Sequence, residues 1–195
     1  MDARTRLPFG WGIGPRPAVL AGAPDETAAR WITVEASPET VWLWLCQLRR
    51  APYSYDLLDN LGRPSPRIPL RKAADMPVGA RIMTMFEVTE LERGRYFELR
   101  IPYPLMRRVF GDLCVRYEIV TLDDRRCQIL VTIRWPGSES ARNQALAWGD
   151  LLMMRKQLLT LKQLAEQWQR SGFADAAPST RLGLAHPGSA QEVWP

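Results

Sequence analysis

Apolar and polar residues alternate along this chain with two different periods, and the change of period divides it into elements. From Trp31 to Glu35, Ile32 and Val34 alternate with Thr33 and Glu35, which predicts a half-buried strand. The strand runs into a helix start. Ser37 is suited to cap, and Pro38 suits the first helical position because its missing N–H costs nothing there. Val41, Trp44, Leu45 and Leu48 then recur at helical spacing until Pro52 ends the pattern. A second short helix is predicted over Ser54 to Leu61, with Leu57, Leu58 and Leu61 on one side and Gly62 as its stop. Arg63 to Met76 reads as a basic, Pro-rich loop, with a short strand near Ile68 to Leu70 as one reading.

After Gly79 the period becomes two. Arg81 to Leu91 accommodates two strands or one bent one. Beyond it Phe97, Leu99 and Ile101 alternate with Glu98 and Arg100. Leu113, Val115, Tyr117 and Ile119 alternate with Cys114, Arg116 and Glu118, and Ile129, Val131, Ile133 and Trp135 with Leu130, Thr132 and Arg134. This one-sided alternation predicts antiparallel strands with one covered and one solvated face. Glu92-Arg93-Gly94 and Asp123-Asp124-Arg125 supply short hairpin connections. After Pro136-Gly137, the residues Ala147, Leu151, Met154, Leu158, Leu161, Ala165 and Trp168 form one apolar stripe on a helix from about Glu139 to Arg170. A coiled-coil dimer would also suit that spacing. The strands need a cover for their apolar face, however, and this is the only long helix the pattern offers. The predicted class is α+β, a helix-grip fold: a curved antiparallel sheet around a long C-terminal helix, with two short helices after the first strand.

Composition places these elements in one domain. With 195 residues, 46% hydrophobic and 24% charged, the chain suits a single core, predicted over 29–170. Residues 1–28, rich in Gly and Pro, are expected to form an irregular arm, and 171–195 a disordered tail. The net charge of +5 comes from Arg doublets at separate turns rather than on one groove-facing element, which argues against nucleic acid. The three cysteines, Cys46, Cys114 and Cys127, form no disulfide framework, and the lone His186 sits in the tail, so metal, triad and Cys-His chemistry are not expected. No apolar run approaches a membrane span and no secretory signal is visible, so the expectation is a cytoplasmic monomer or homodimer without cofactor.

The segment Ile32 to Trp42 (ITVEASPETVW) resembles the opening of START-like proteins of the SRPBCC group, where an "ApPexVW" motif joins the first strand to the first helix. Tyr53 to Leu61 (YSYDLLDNL) is similar to a "YSYDwLdN" segment of a bacterial subset of that group, and Arg155 to Leu158 with Leu161 to Glu166 to the end of its last helix. The resemblance covers roughly residues 24–168. Arg49-Arg50-Ala51-Pro52 stands where the subset carries a longer Gly- and Trp-containing turn, so the pocket entrance is expected to differ. The resemblance implies an internal cavity for hydrophobic small molecules, in a group that includes lipid carriers and polyketide aromatases and cyclases. Fold alone does not choose among them.

Such a cavity is mostly apolar with a few orienting polar groups. The strand phases nominate Phe97, Leu99, Ile101, Leu113, Val115, Tyr117, Ile133 and Trp135 as walls, joined by Met83 and Met85. The helices add Trp44, Leu48, Leu58, Leu151, Met154 and Leu158. Tyr117, Tyr55 and Asp56 are the polar candidates: Tyr117 lies in phase with an apolar face, and its hydroxyl requires a buried partner or a ligand. Glu98, Glu118, Arg100, Arg116 and Arg134 fall in the opposite phase and are expected on a solvated outer face. The leading functional expectation is a non-enzymatic binder or carrier of a lipid, polyketide or isoprenoid-like molecule. The alternatives are a cyclase or aromatase acting by orientation of its substrate, and an interaction module with a filled cavity.

Overall fold

The computed structural model describes residues 10–22, 27–53, 65–134 and 141–172. The predicted second short helix, Trp135, and the tail beyond Gly172 lie outside them.

Alternation becomes sheet where it was read. Strand β2 (Thr27–Val34) pairs with β7 (Arg126–Arg134), β7 with β6 (Cys114–Asp123), β6 with β5 (Tyr96–Arg100) and β5 with β4 (Phe86–Glu92), each antiparallel. A short β3 (Arg81–Ile82) pairs with β4 at one edge. At the other edge β1 (Gly10–Ile13) runs parallel to β2, giving the order β1-β2-β7-β6-β5-β4-β3 among the described strands. The sheet is therefore mixed, and the expected irregular arm contributes a strand to it. Gly12 permits that edge: a Cβ there would fall 2.0 Å from the Trp31 ring. Leu20, in a 3₁₀ turn at Ala18–Gly22, packs with Ala29 and Leu130 on the outer face.

Helix α1 (Pro38–Leu45) begins as the sequence predicts, with Ser37 Oγ accepting the Thr40 N–H at 3.3 Å. Helix α2 (Pro104–Phe110) was not predicted; seven residues between two strands carry too little periodic signal to separate it from a loop. Helix α3 (Ala141–Arg170) is the long C-terminal helix, about 45 Å from end to end. The sheet covers its apolar stripe, with Met154, Leu158, Leu161, Leu164 and Ala165 all buried in one core with the inner faces of the strands.

Polar bonds fix the far end of α3 against the start of α1. Glu166 Oε1 accepts the Glu35 N–H at 3.0 Å, Gln169 Oε1 accepts the Ser37 N–H at 3.2 Å, and Lys162 Nζ donates to the Thr33 carbonyl at 2.8 Å. The segment Ile68–Leu70 is not a strand. Gln47, fully buried, accepts the Leu70 N–H and donates to the Leu70 carbonyl, both at 3.0 Å, and so satisfies the backbone groups a strand neighbour would have taken.

Candidate ligand-binding site beneath the C-terminal helix

Strand register assembles the inner face in rows. One row crosses six strands: Trp11, Arg30, Val131, Tyr117, Phe97 and Leu91 are successive cross-strand partners from β1 to β4. A bulge between Val88 and Glu90 keeps both Val88 and Leu91 packed with the core. Phe97 stacks on Tyr117 with ring centroids 5.1 Å apart.

Helix α3 lies over this row. The Tyr117 hydroxyl donates to Gln157 Oε1 at 2.7 Å and approaches the Met154 sulfur at 3.5 Å. Gln157 Nε2 in turn donates to the Pro52 carbonyl at 2.6 Å and lies 3.5 Å from the Met83 sulfur. Arg155 sits over the Trp11 ring at 5.7 Å. Tyr117, Gln157 and Arg30 are each at most 3% exposed, so a phenol, an amide and a guanidinium share one level of an otherwise apolar interior. Arg30 Nη1 donates to the Ala29 carbonyl at 3.0 Å. Its strand and that of Tyr117 are separated only by β7, roughly 10 Å centre to centre.

Met83 reaches Gln157 from a strained turn. Met83 (φ 48°) and Thr84 (φ 61°) both adopt the left-handed region, unfavourable for a side chain and most so for β-branched Thr84. Tyr53 (φ 57°) does the same beside Pro52 and is buried against Trp44. Both strained segments thus flank the Gln157 amide.

Most of the residues read as walls fall among the described residues and inside the core. Leu48, Phe97, Leu99, Ile101, Leu113, Val115, Tyr117, Ile133, Met154 and Leu158 are buried in one core, and Met83 and Met85 pack half-buried against it. Trp44 belongs to the same core but sits edge-on to Tyr53 and to Trp168, eleven residues past Gln157 and so about 16 Å further along α3. Tyr55, Asp56, Leu58 and Trp135 lie outside the described residues, as does the Leu151 side chain.

Sequence reading missed Gln157, Arg30 and the inward reach of Trp42. Two of them carried a signal. Gln157 lies three residues after Met154 and four before Leu161, at the edge of the apolar stripe. Arg30 appears once the alternation of Ile32 and Val34 is extended backwards.

The outer face needs one correction. Glu98, expected to be solvated, is 5% exposed, because Arg100 Nη2 at 3.2 Å and Arg134 Nη2 at 3.0 Å close over its carboxylate. Burial works to raise its pKa. Hydrogen bonds from Cys114 and Arg100 and the charge of Arg134 outweigh that effect and hold it below the ordinary range. It is an ionised carboxylate on the face away from Tyr117. Burial pushes the Cys46 and Cys127 thiols up to about 12, so neither is a nucleophile at neutral pH. A separate cleft of about 260 Å³ lies where β4 and β5 meet α2, lined by Glu87, Thr89, Arg100, Ile101, Pro102, Arg107 and Asp112. Asp112 pairs there with Arg100 at 3.4 Å and Arg107 at 3.6 Å, so its polar lining is internally neutralised and distinct from the row under α3.

Among the described residues no helix is long and apolar enough to cross a membrane, and no cluster of His, Cys, Asp and Glu could hold a metal ion. The sheet order, the covering helix and the α1 entry define an α+β helix-grip fold. No family model matches the chain, and no curated protein does. Among solved structures it is similar to a protein from Thermobifida fusca, at 16% identity and a TM-score of 0.47, covering 74% of this chain and 94% of that one. A START superfamily protein from Mycobacterium smegmatis matches at 15% identity and a TM-score of 0.44, over 72% of this chain and 97% of that one. The Zhui aromatase/cyclase from a Streptomyces species matches at 15% identity and a TM-score of 0.39, over 73% and 94%.

Proposed function

We propose that the chain binds a hydrophobic small molecule, of lipid, polyketide or isoprenoid type, between the inner face of its sheet and α3, and acts as its binder or carrier. The observation that carries this reading is the polar row of Arg30, Tyr117 and Gln157 set within an apolar wall. Burying a guanidinium and an amide at one level costs free energy that a leucine in either place would not, so their grouping favours a site over a filled core. A site that must orient an apolar ligand has a use for such groups. Met83 and Met154, both beside the Gln157–Tyr117 pair, add side chains that adapt to varied ligand shapes.

The row supports binding over cyclisation. The Tyr117 hydroxyl donates to an amide oxygen, and the carboxylate buried among the described residues, Glu98, is held ionised on the opposite face. Native mass spectrometry of protein purified from its native host, followed by solvent extraction, tests the reading. A co-purifying hydrophobic compound is expected, and Tyr117→Phe should weaken its retention. Recovery of ligand-free protein would overturn the carrier reading, and unchanged retention would remove Tyr117 from the site.

A further inference from the structure

Trp42 is a buried polar group that the site so far leaves unexplained. It is 5% exposed, and its ring meets Phe97 edge-on with centroids 6.0 Å apart. Phe97 is the β5 member of the polar row and stacks on Tyr117. The Trp42 indole therefore reaches from α1 onto the inner face of the sheet, next to the ring that carries the Tyr117–Gln157 pair. Its Nε1–H has no acceptor among the described residues. The buried amides Gln47, Gln128 and Gln157 all use their groups in hydrogen bonds, while the Trp44 indole N–H, away from the row, is unpaired like that of Trp42. An indole N–H only donates and carries no charge, so what it lacks is an oxygen acceptor. A buried donor left without one is costly, and nothing on Phe97 can supply it.

Resting on the binding reading above, we propose that Trp42 is a specificity-determining residue: its indole N–H selects a hydrophobic ligand bearing a neutral oxygen acceptor, such as a ketone, over the corresponding hydrocarbon. The acceptor lies near β5, and the rest of the molecule extends along the row toward Tyr117 and Gln157. A neutral hydrogen bond that relieves a buried donor is worth about tenfold in affinity.

The probes are fluorene and 9-fluorenone, which share one tricyclic frame and differ by a carbonyl, titrated into the full chain and followed by calorimetry. Wild type should bind fluorenone about tenfold more tightly. Trp42→Phe keeps a ring against Phe97 and deletes the N–H. It should bind fluorenone no better than fluorene. Trp44→Phe is the control. It deletes an equally unpaired N–H from a ring that packs edge-on to Tyr53 and Trp168 instead, and it should keep the preference. The Trp42 indole resonance in wild-type protein gives a readout independent of any variant's folding. It should move downfield with fluorenone and not with fluorene. Equal affinities in wild type, a preference surviving in Trp42→Phe, or an unmoved indole resonance each overturn the selection while leaving ligand binding standing. Failure of wild type to bind either probe removes the binding reading and this inference with it.

Discussion

Replacing Gln157 by Leu, alone and together with Tyr117→Phe, interrogates a polar thread that ties α3 to the inner face of the sheet. Gln157 is 3% exposed and makes bonds of 2.7 Å to the Tyr117 hydroxyl and 2.6 Å to the Pro52 carbonyl. Breaking a hydrogen bond to a buried group costs about 1.5 kcal/mol for each partner left behind. Tyr117→Phe deprives one such group, the Gln157 carbonyl oxygen, and should cost about 1.5 kcal/mol. Gln157→Leu deprives both the Tyr117 hydroxyl and the Pro52 carbonyl, for about 3 kcal/mol. The double variant deprives only Pro52, so its cost returns to about 1.5 kcal/mol against an additive sum of about 4.5. The Met154 sulfur, 3.5 Å from the Tyr117 hydroxyl, softens the Gln157→Leu penalty, which trims the expected coupling to about 2 kcal/mol. Urea unfolding of the four proteins measures it, with constant m-values as the check that the unfolded state is shared. The double variant should also melt several degrees above its additive expectation, at roughly 2–4 °C per kcal/mol for a chain of this size. Costs that add to within about 0.5 kcal/mol would refute the claim that these side chains act as one buried unit.

Two further outcomes follow from the outer face and the thiols. The Glu98 carboxyl is held below its ordinary value of 4.5, so the stabilisation it provides is present above that pH and is lost as pH falls through the lower folded-state value. Acid unfolding of Glu98→Gln should therefore show reduced stability at neutral pH and a shallower decline below pH 4.5 than wild type, whereas parallel curves would contradict the Arg100–Glu98–Arg134 assignment. Cys46 and Cys127, with thiols raised to about 12 by burial, should resist a thiol reagent at pH 8 in native protein and react only on unfolding; stoichiometric native labelling of either would show that the interior opens.

Periodicity made much of this molecule legible before any coordinates. Strands β5, β6 and β7, the Ser37-Pro38 start of α1 and the stripe of α3 are all local patterns, and their phases named Phe97, Leu99 and Tyr117 as inner-face residues. What was not legible depends on neighbours distant in sequence. Strand β1 has no readable alternation among its glycines, and it exists because Gly12 admits the Trp31 ring. Glu98 is buried only because two arginines, one two residues away and one on β7, fold over it. Its phase was right and its solvation was not.

The amino-acid sequence by itself determined which face each strand would bury and that one long helix would cover that face, because side-chain period is a property of the local backbone. Only the tertiary structure decided that Arg30, Tyr117 and Gln157 share one level and that Trp42 brings an unpaired donor beside them. Cross-strand register and the seating of α1 and α3 are sums over contacts between distant segments, and no local pattern encodes such a sum.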